Sequence, residues 1–120
     1  MWTLDYSVEA ERDFELIFDH LFETYVDLGE DPEAALEAAA DRVRSIRGCI
    51  DGLTGKPFIG TLRPDILPGL RFVRLERAAV WFLPDEHKKT IIIAAIFFGA
   101  QDHIRQMLTR LLEEQEPPSP

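Results

Sequence analysis

The fold is decided by a nine-residue stretch, TIIIAAIFF, which runs from Thr90 to Phe98. Its β-branched and aromatic residues favour a strand, and the absence of polar alternation is typical of a strand that is buried on both faces. We therefore expect this strand to lie in the centre of a sheet. Its apolar part, Ile91 to Phe98, has eight residues. A membrane-spanning helix needs about 20, so the stretch does not predict one.

Two further strands are predicted before this one, from Leu70 to Glu76 and from Ala79 to Leu83, with a turn over residues 84–87. A short strand is also indicated at residues 2–6, where large apolar side chains alternate with polar ones. The segment 52–69 holds four glycines and three prolines. That composition is typical of a loop and disfavours a third helix before the last strands.

Two helices are predicted between the N-terminal strand and this loop. Ser7 has the character of an N-cap, and apolar residues then follow at spacings of three and four as far as Gly29, which is suited to ending a helix. Asp31 and Pro32 supply an N-cap and a proline at the first position of the second helix. Because only a few residues join the helices, we expect an antiparallel hairpin.

The predicted order is therefore strand, helical hairpin, three-stranded antiparallel meander and a last helix over residues 101–112, which is an α+β fold. We expect a single domain over residues 1–112 and a flexible, acidic, proline-rich tail over residues 113–120. The expected core includes Phe18, Leu21, Phe22 and Ile93.

The chain has a formal net charge of −9, from 13 basic and 22 acidic side chains. We do not expect such an acidic chain to bind nucleic acid specifically by itself. Residues 1–51 hold 14 acidic and 4 basic side chains, whereas residues 52–112 hold 5 acidic and 9 basic ones. Solvated acidic helices explain this division, and so does an anionic partner that binds the C-terminal half. The acidic, amphipathic start does not resemble a secretory signal, so a cytoplasmic location is expected.

Few residues have the spacing that a metal site or a catalytic site requires. His20, His87 and His103 form no His-x3-His pair, and Cys49 is the single cysteine. We therefore expect no metal and no cofactor, and we expect the histidines to lie at the surface or at helix caps. The carboxylates of the first helix are expected to be solvated. They are Glu9, Glu11, Asp13, Glu15, Asp19, Glu23 and Asp27.

Arginines mark the first strand of the meander. Arg71 and Arg77 share one parity with the apolar Val73 and Leu75, so an unbroken strand would place both arginines on one face. A surface strand with a basic rim explains this pattern. A docking face for an acidic segment or a nucleic-acid backbone explains it too, with Arg74 adding to the charge.

Several blocks taken together resemble the RelE/ParE superfamily of toxin–antitoxin toxins, and the ParE-like branch in particular. The resemblance spans roughly residues 4–112. The blocks that carry it are Tyr6–Ala10 with Asp13 and Ile17, Pro57–Gly60, Leu67–Arg71, Arg77–Phe82, Ile91–Phe97 and Phe98–Asp102.

The resemblance implies the fold expected above and a toxin that is neutralised by a cognate antitoxin. ParE-like toxins trap the complex of DNA gyrase with cleaved DNA and have no hydrolytic site, so this likeness implies a gyrase inhibitor that is not an enzyme. RelE-like relatives instead cut mRNA in the ribosomal A site. A member that has lost toxicity and only binds an antitoxin is the third possibility.

The resemblance also implies binding residues. Arg71 and Arg77 match family arginines, and together with Arg74 and Gln101 they are the residues that we expect to contact the antitoxin or the target. Gln101 and Phe98 stand where the family often has arginine and histidine. Ala78 and Phe82 replace tyrosines that are common around the second meander strand. Because RNA cleavage needs groups that transfer a proton and stabilise phosphorane charge, these departures disfavour it, and no catalytic residue is expected.

Overall fold

The α+β fold expected from the sequence is confirmed by the computed structural model, which describes residues 1–99 and 102–115, with side chains up to residue 113. The elements are β1 (Thr3–Tyr6), α1 (Val8–Asp27), α2 (Pro32–Asp51), a 3-10 turn (Gly52–Gly55), β2 (Thr61–Leu62), β3 (Arg71–Leu75), β4 (Ala78–Asp85), β5 (Thr90–Phe98) and α3 (His103–Gln115).

The strands form one mixed sheet in the order β1-β5-β4-β3-β2. β1 pairs with β5 in parallel, and the other neighbours are antiparallel. β5 therefore lies inside the sheet, but the middle strand is β4, where residues 78–82 are all buried. The expectation that β5 is buried on both faces holds for residues 95–97 only, since Ile92 is 36% exposed.

A β-bulge divides β5. Trp81 of β4 pairs with Ala95, whereas the next residue, Phe82, pairs with Ile93, so Ala94 has no partner on β4. A bulge inserts one extra residue and reverses the faces to which later side chains point. The Ser7 backbone N–H donates to the Ile93 carbonyl at 3.0 Å, and its hydroxyl donates to the Ala94 carbonyl at 3.3 Å. The start of α1 is thereby attached to the bulge.

The helical hairpin forms where the local signals predict it. The Ser7 hydroxyl accepts the Ala10 N–H at 3.1 Å, and the Asp31 carboxylate accepts the Ala34 N–H at 2.8 Å, so both predicted N-caps are made. Gly29 follows α1 with a φ of 104°, a conformation that glycine adopts without a steric penalty.

The sheet buries both of its faces. On the hairpin face, α1 and α2 cover a cluster that includes Ile17, Leu21, Ile46, Val80 and Ile93. On the α3 face, a smaller cluster consists of Leu70, Trp81, Ala95, Phe97 and Met107. Of the expected core residues, Leu21 and Ile93 are buried, while Phe18 and Phe22 are half-buried at the edge of the hairpin-face cluster.

The segment 52–69 contains β2 and a 3-10 turn in addition to loop. Gly60 lies where this segment meets β3: its φ is 88°, and a Cβ atom there would be 2.3 Å from the Phe72 carbonyl oxygen. At the other end of the chain, α3 runs to Gln115 and takes in residues that the sequence assigned to the tail. Residues 116–120, the rest of that predicted tail, lie outside the described residues.

Candidate partner-binding surface

Arg71 lies on the hairpin face at the start of β3, opposite Phe82. Its Nη1 donates a hydrogen bond to the Phe58 carbonyl oxygen at 2.7 Å, and its guanidinium carbon is 5.5 Å from the centre of the Phe58 ring. The Phe58 ring meets Trp2 edge-on, with centroids 5.6 Å apart. Arg71 thus attaches the preceding loop to the sheet, next to an aromatic ring that is 49% exposed.

Arg74 lies on the opposite, α3 face, beside a buried aromatic cluster. His103 at the start of α3 is 5% exposed, and its Nδ1 accepts the Trp81 Nε1–H at 3.2 Å. The Phe72 ring packs against both, with each centroid 4.8 Å away. His103 is therefore not the surface or cap histidine that the sequence predicted, because its ring fills the contact between α3 and the sheet.

The environment of His103 favours a neutral imidazole. Burial lowers the pKa of His103, and the positive charges of Arg74 and Arg63 lower it further. A neutral ring can accept at Nδ1 from the indole, whereas a protonated ring cannot. The pairing of Trp81 with His103 consequently depends on a neutral His103.

Arg77 is not on β3, which corrects the prediction that it shares a strand face with Arg71. β3 ends at Leu75 and β4 begins at Ala78, so Glu76 and Arg77 form a two-residue turn. Their φ angles are 47° and 68°. Positive φ at both central residues is typical of a type I′ hairpin turn. Arg77 therefore projects from the end of the hairpin, beyond the regular alternation of the strand.

This turn is attached to the neighbouring elements. The Ser45 hydroxyl donates to the Glu76 carboxylate at 2.7 Å, and Arg42 Nη2 donates to the Glu76 carbonyl at 3.3 Å. The Gly99 N–H donates to the Arg77 carbonyl at 2.8 Å. The hairpin end is thus fixed between α2 and the end of β5.

A cavity of about 530 Å³ lies beside the turn, between the turn, α1 and α2. Its lining combines two arginines with a histidine, a threonine and the aromatic residues tyrosine and phenylalanine. The lining residues are His20, Leu21, Thr24, Tyr25, Arg42, Arg77, Phe98 and Gly99. Nothing near Arg42 in the sequence indicates that α2 packs beside the β3–β4 turn, so this residue could not be recognised from its neighbours in the chain.

The three expected site residues that the structure describes do not form one patch. Arg71 and Arg74 lie on opposite faces, and Arg77 lies at the hairpin end. Gln101 lies outside the described residues, so its role stays a prediction.

Asp13 is buried, which corrects for this residue the prediction that the carboxylates of α1 form a solvated face. It binds Arg110 of α3 through two hydrogen bonds of 2.7 and 2.8 Å, and it also accepts the Ile96 N–H at 2.9 Å. The ion pair connects α1, β5 and α3. Its signal was present in the sequence, since Asp13 falls within the apolar stripe of α1 between Ala10 and Ile17.

A metal-binding cluster and a membrane-spanning helix are both absent from the described part of the chain. Residues 1–99 and 102–115 contain no group of three His, Cys, Asp or Glu side chains placed to hold a metal ion. Within the same residues, no helix combines the length and the apolar character that crossing a membrane requires.

The fold and sequence can be compared with known proteins. No protein-family model and no curated protein matches the sequence. A chain of the chromosomal ParDE toxin–antitoxin system from P. aeruginosa is 27% identical, and the match covers 83% of this chain and 98% of that chain with a TM-score of 0.58.

Solved RelE structures share the fold at lower identity. The E. coli RelBE toxin–antitoxin complex matches at 10% identity over 84% of this chain and 100% of that chain, and the isolated E. coli RelE toxin at 9% over 93% and 99%, both with a TM-score of 0.50. The two RelE matches support the fold alone, whereas the ParDE match also supports the resemblance to the RelE/ParE superfamily of toxins.

Proposed function

We propose that this chain is the ParE-like toxin of a type II toxin–antitoxin system, which inhibits DNA gyrase and is neutralised by a cognate antitoxin. The observation that carries the proposal is the match to the ParDE chain, at 27% identity over 98% of its length. The RelE matches, at 9% and 10% identity, support the fold alone.

The environment of His103 agrees with a toxin that has no hydrolytic site. A general acid or base must reach the proton that it transfers. His103 is buried and its Nδ1 is occupied by Trp81. RNA cleavage by the ribosome-dependent route would therefore need a proton-transfer group other than this imidazole.

Arg71, Arg74 and Arg77 are the residues that we propose for contacts with the antitoxin or the target. Guanidinium groups form charge-assisted hydrogen bonds with carboxylates and phosphates, each worth about 1.5–3 kcal/mol. Since the three arginines point in different directions, we propose that the antitoxin wraps around the sheet and does not bind to one flat patch.

The decisive experiment mixes the purified chain with DNA gyrase and supercoiled plasmid, followed by detergent and protease. Trapping of the cleavage complex would yield linear DNA, and growth would stop when the chain is induced in cells. Primer extension on translated messages tests the alternative. Discrete cuts in the ribosomal A site, without formation of linear DNA, would identify an endoribonuclease and contradict the proposal.

Variants of the arginines sharpen this test. Arg77→Asn removes the charge and keeps a residue that tolerates positive φ. We expect it to weaken gyrase trapping or antitoxin binding by about tenfold, which corresponds to about 1.4 kcal/mol. Arg44→Gln is the matched control, since Arg44 is exposed and pairs with Asp41 on the outer surface of α2. Equal effects of the two variants would remove Arg77 from the binding surface.

A further inference from the structure

The cavity beside the β3–β4 turn has the character of a receptor for an anionic group. Arg42 and Arg77 line it from two different elements, α2 and the turn, and the half-buried residue Phe98 lines it from the end of β5. The Arg42 guanidinium carbon is 5.8 Å from the centre of that ring. A cation held against an aromatic face is partly shielded from water, which strengthens its attraction for an anion.

The hydrogen bonds around the cavity leave this positive charge without a carboxylate. Arg42 donates to the Glu76 carbonyl, which is neutral, while the Glu76 carboxylate accepts from Ser45. Within residues 1–99 and 102–113, neither Arg42 nor Arg77 forms an ion pair. The two guanidinium groups at this cavity are thus not neutralised by a carboxylate of the described chain.

The charge around the cavity limits the size of the anion. The walls formed by α1 and α2 belong to the segment 1–51, which has 14 acidic and only 4 basic side chains. Exposed carboxylates on α1, among them Asp19, Glu23 and Asp27, would repel the successive phosphates of a nucleic-acid strand. A single carboxylate that reaches the arginines along the Phe98 ring would meet much less of this repulsion.

We propose that this cavity binds one carboxylate, presented by an acidic side chain of a partner protein, between the guanidinium groups of Arg42 and Arg77. The apolar wall formed by Leu21 and Phe98 accommodates the aliphatic part of that side chain or an apolar neighbour. Under the proposed function the partner is the antitoxin, so this identification of the partner rests on that proposal. The affinity of the cavity for a carboxylate does not depend on the proposed function.

The test is a titration of the purified chain with the α-amide of N-acetylaspartate, which carries a single side-chain carboxylate, monitored by NMR of the Gly99 amide and the arginine Nε–H groups. We expect saturable shifts at this cavity. Arg42→Gln and Arg77→Asn should each weaken binding by about tenfold, because each removes one charge-assisted contact. Arg44→Gln is the control and should leave the affinity unchanged.

Two results would overturn the proposal. Shifts that grow linearly without saturation, or that persist in both variants, would show that no carboxylate site exists. Tighter saturable binding of inorganic phosphate than of the N-acetylaspartate α-amide would identify a phosphate site instead. Arg77 lies in an exposed turn, so Arg77→Asn gives an answer even if Arg42→Gln fails to fold. The titration uses the chain alone, so its result is independent of whether the chain inhibits gyrase.

Discussion

The two faces of the sheet are stabilised in different ways. The cluster on the hairpin face consists of hydrophobic residues covered by two 20-residue helices. The cluster on the α3 face is smaller, and the two buried polar residues of the described chain, Asp13 and His103, both connect to its helix or its central tryptophan. The hairpin face therefore depends on burial, which is non-directional, whereas the attachment of α3 depends on specific polar contacts.

The largest effect should come from the hairpin face. Ile93→Ala removes a side chain that is 0% exposed, and such truncations cost about 2–5 kcal/mol because a cavity remains. Ile92→Ala is the matched control on the same strand, since Ile92 is 36% exposed and lies on the other face. Urea unfolding would measure both variants. Equal losses would contradict the contrast between the two residues.

Breaking the ion pair should loosen α3 selectively. Arg110→Ala leaves the Asp13 carboxylate buried with the Ile96 N–H as its one remaining partner among the described residues, and an uncompensated buried charge costs about 3 kcal/mol or more. Glu11→Gln is the control, because it removes a solvent-exposed ion pair with Arg47 that is worth about 0–1 kcal/mol. Hydrogen exchange would locate the loss. If α1 and α2 lose protection as much as α3 does, the two faces are not separable.

Acidification should weaken the α3 face further. Folding lowers the pKa of His103 below its ordinary value of about 6.5. Below about pH 6.5, the unfolded chain therefore binds more protons at this residue than the folded chain does. Stability is therefore retained above about pH 6.5 and is lost as the pH falls toward the lowered pKa. Unfolding in urea at several pH values should show a steeper acid loss in the parent than in His103→Asn.

The control for the acid effect is His87→Asn, because His87 is exposed after β4. This variant should follow the pH dependence of the parent. Identical pH profiles for the parent and His103→Asn would show that His103 does not titrate differently in the folded and unfolded states.

Short-range features of the sequence predicted the structure best. Ser7 and Asp31 form the expected caps because capping involves residues only three positions apart. The turn between β3 and β4 was placed one residue too late, after Glu76, because the pair Glu76-Arg77 lacks the Asn-Gly or Asp-Gly signal that usually indicates a type I′ turn. Arg77 was therefore placed on a strand face that it does not share.

Contacts between distant parts of the chain could not be predicted from spacing. Asp13 and Arg110 are 97 residues apart, and Trp81 and His103 are 22 apart. Each pair forms only because α3 packs on a particular part of the sheet. The same reason explains why Arg42 was not recognised beside Arg77, since α2 and the turn meet only in the folded chain.

The bulge at Ala94 has a consequence for how β5 tolerates changes in length. The alternation of side chains along a strand has a period of two residues, so one extra residue shifts its phase by half a period. Ile91 and Ile93 before the bulge, and Ile96 and Phe98 after it, are thereby brought back into phase on the hairpin face. Deletion of Ala94 would remove the bulge and keep the two halves in phase, because Ile93 and Ile96 would then be two positions apart. A one-residue insertion or deletion elsewhere within β5 would put the halves out of phase, and it would turn hydrophobic side chains away from the helices.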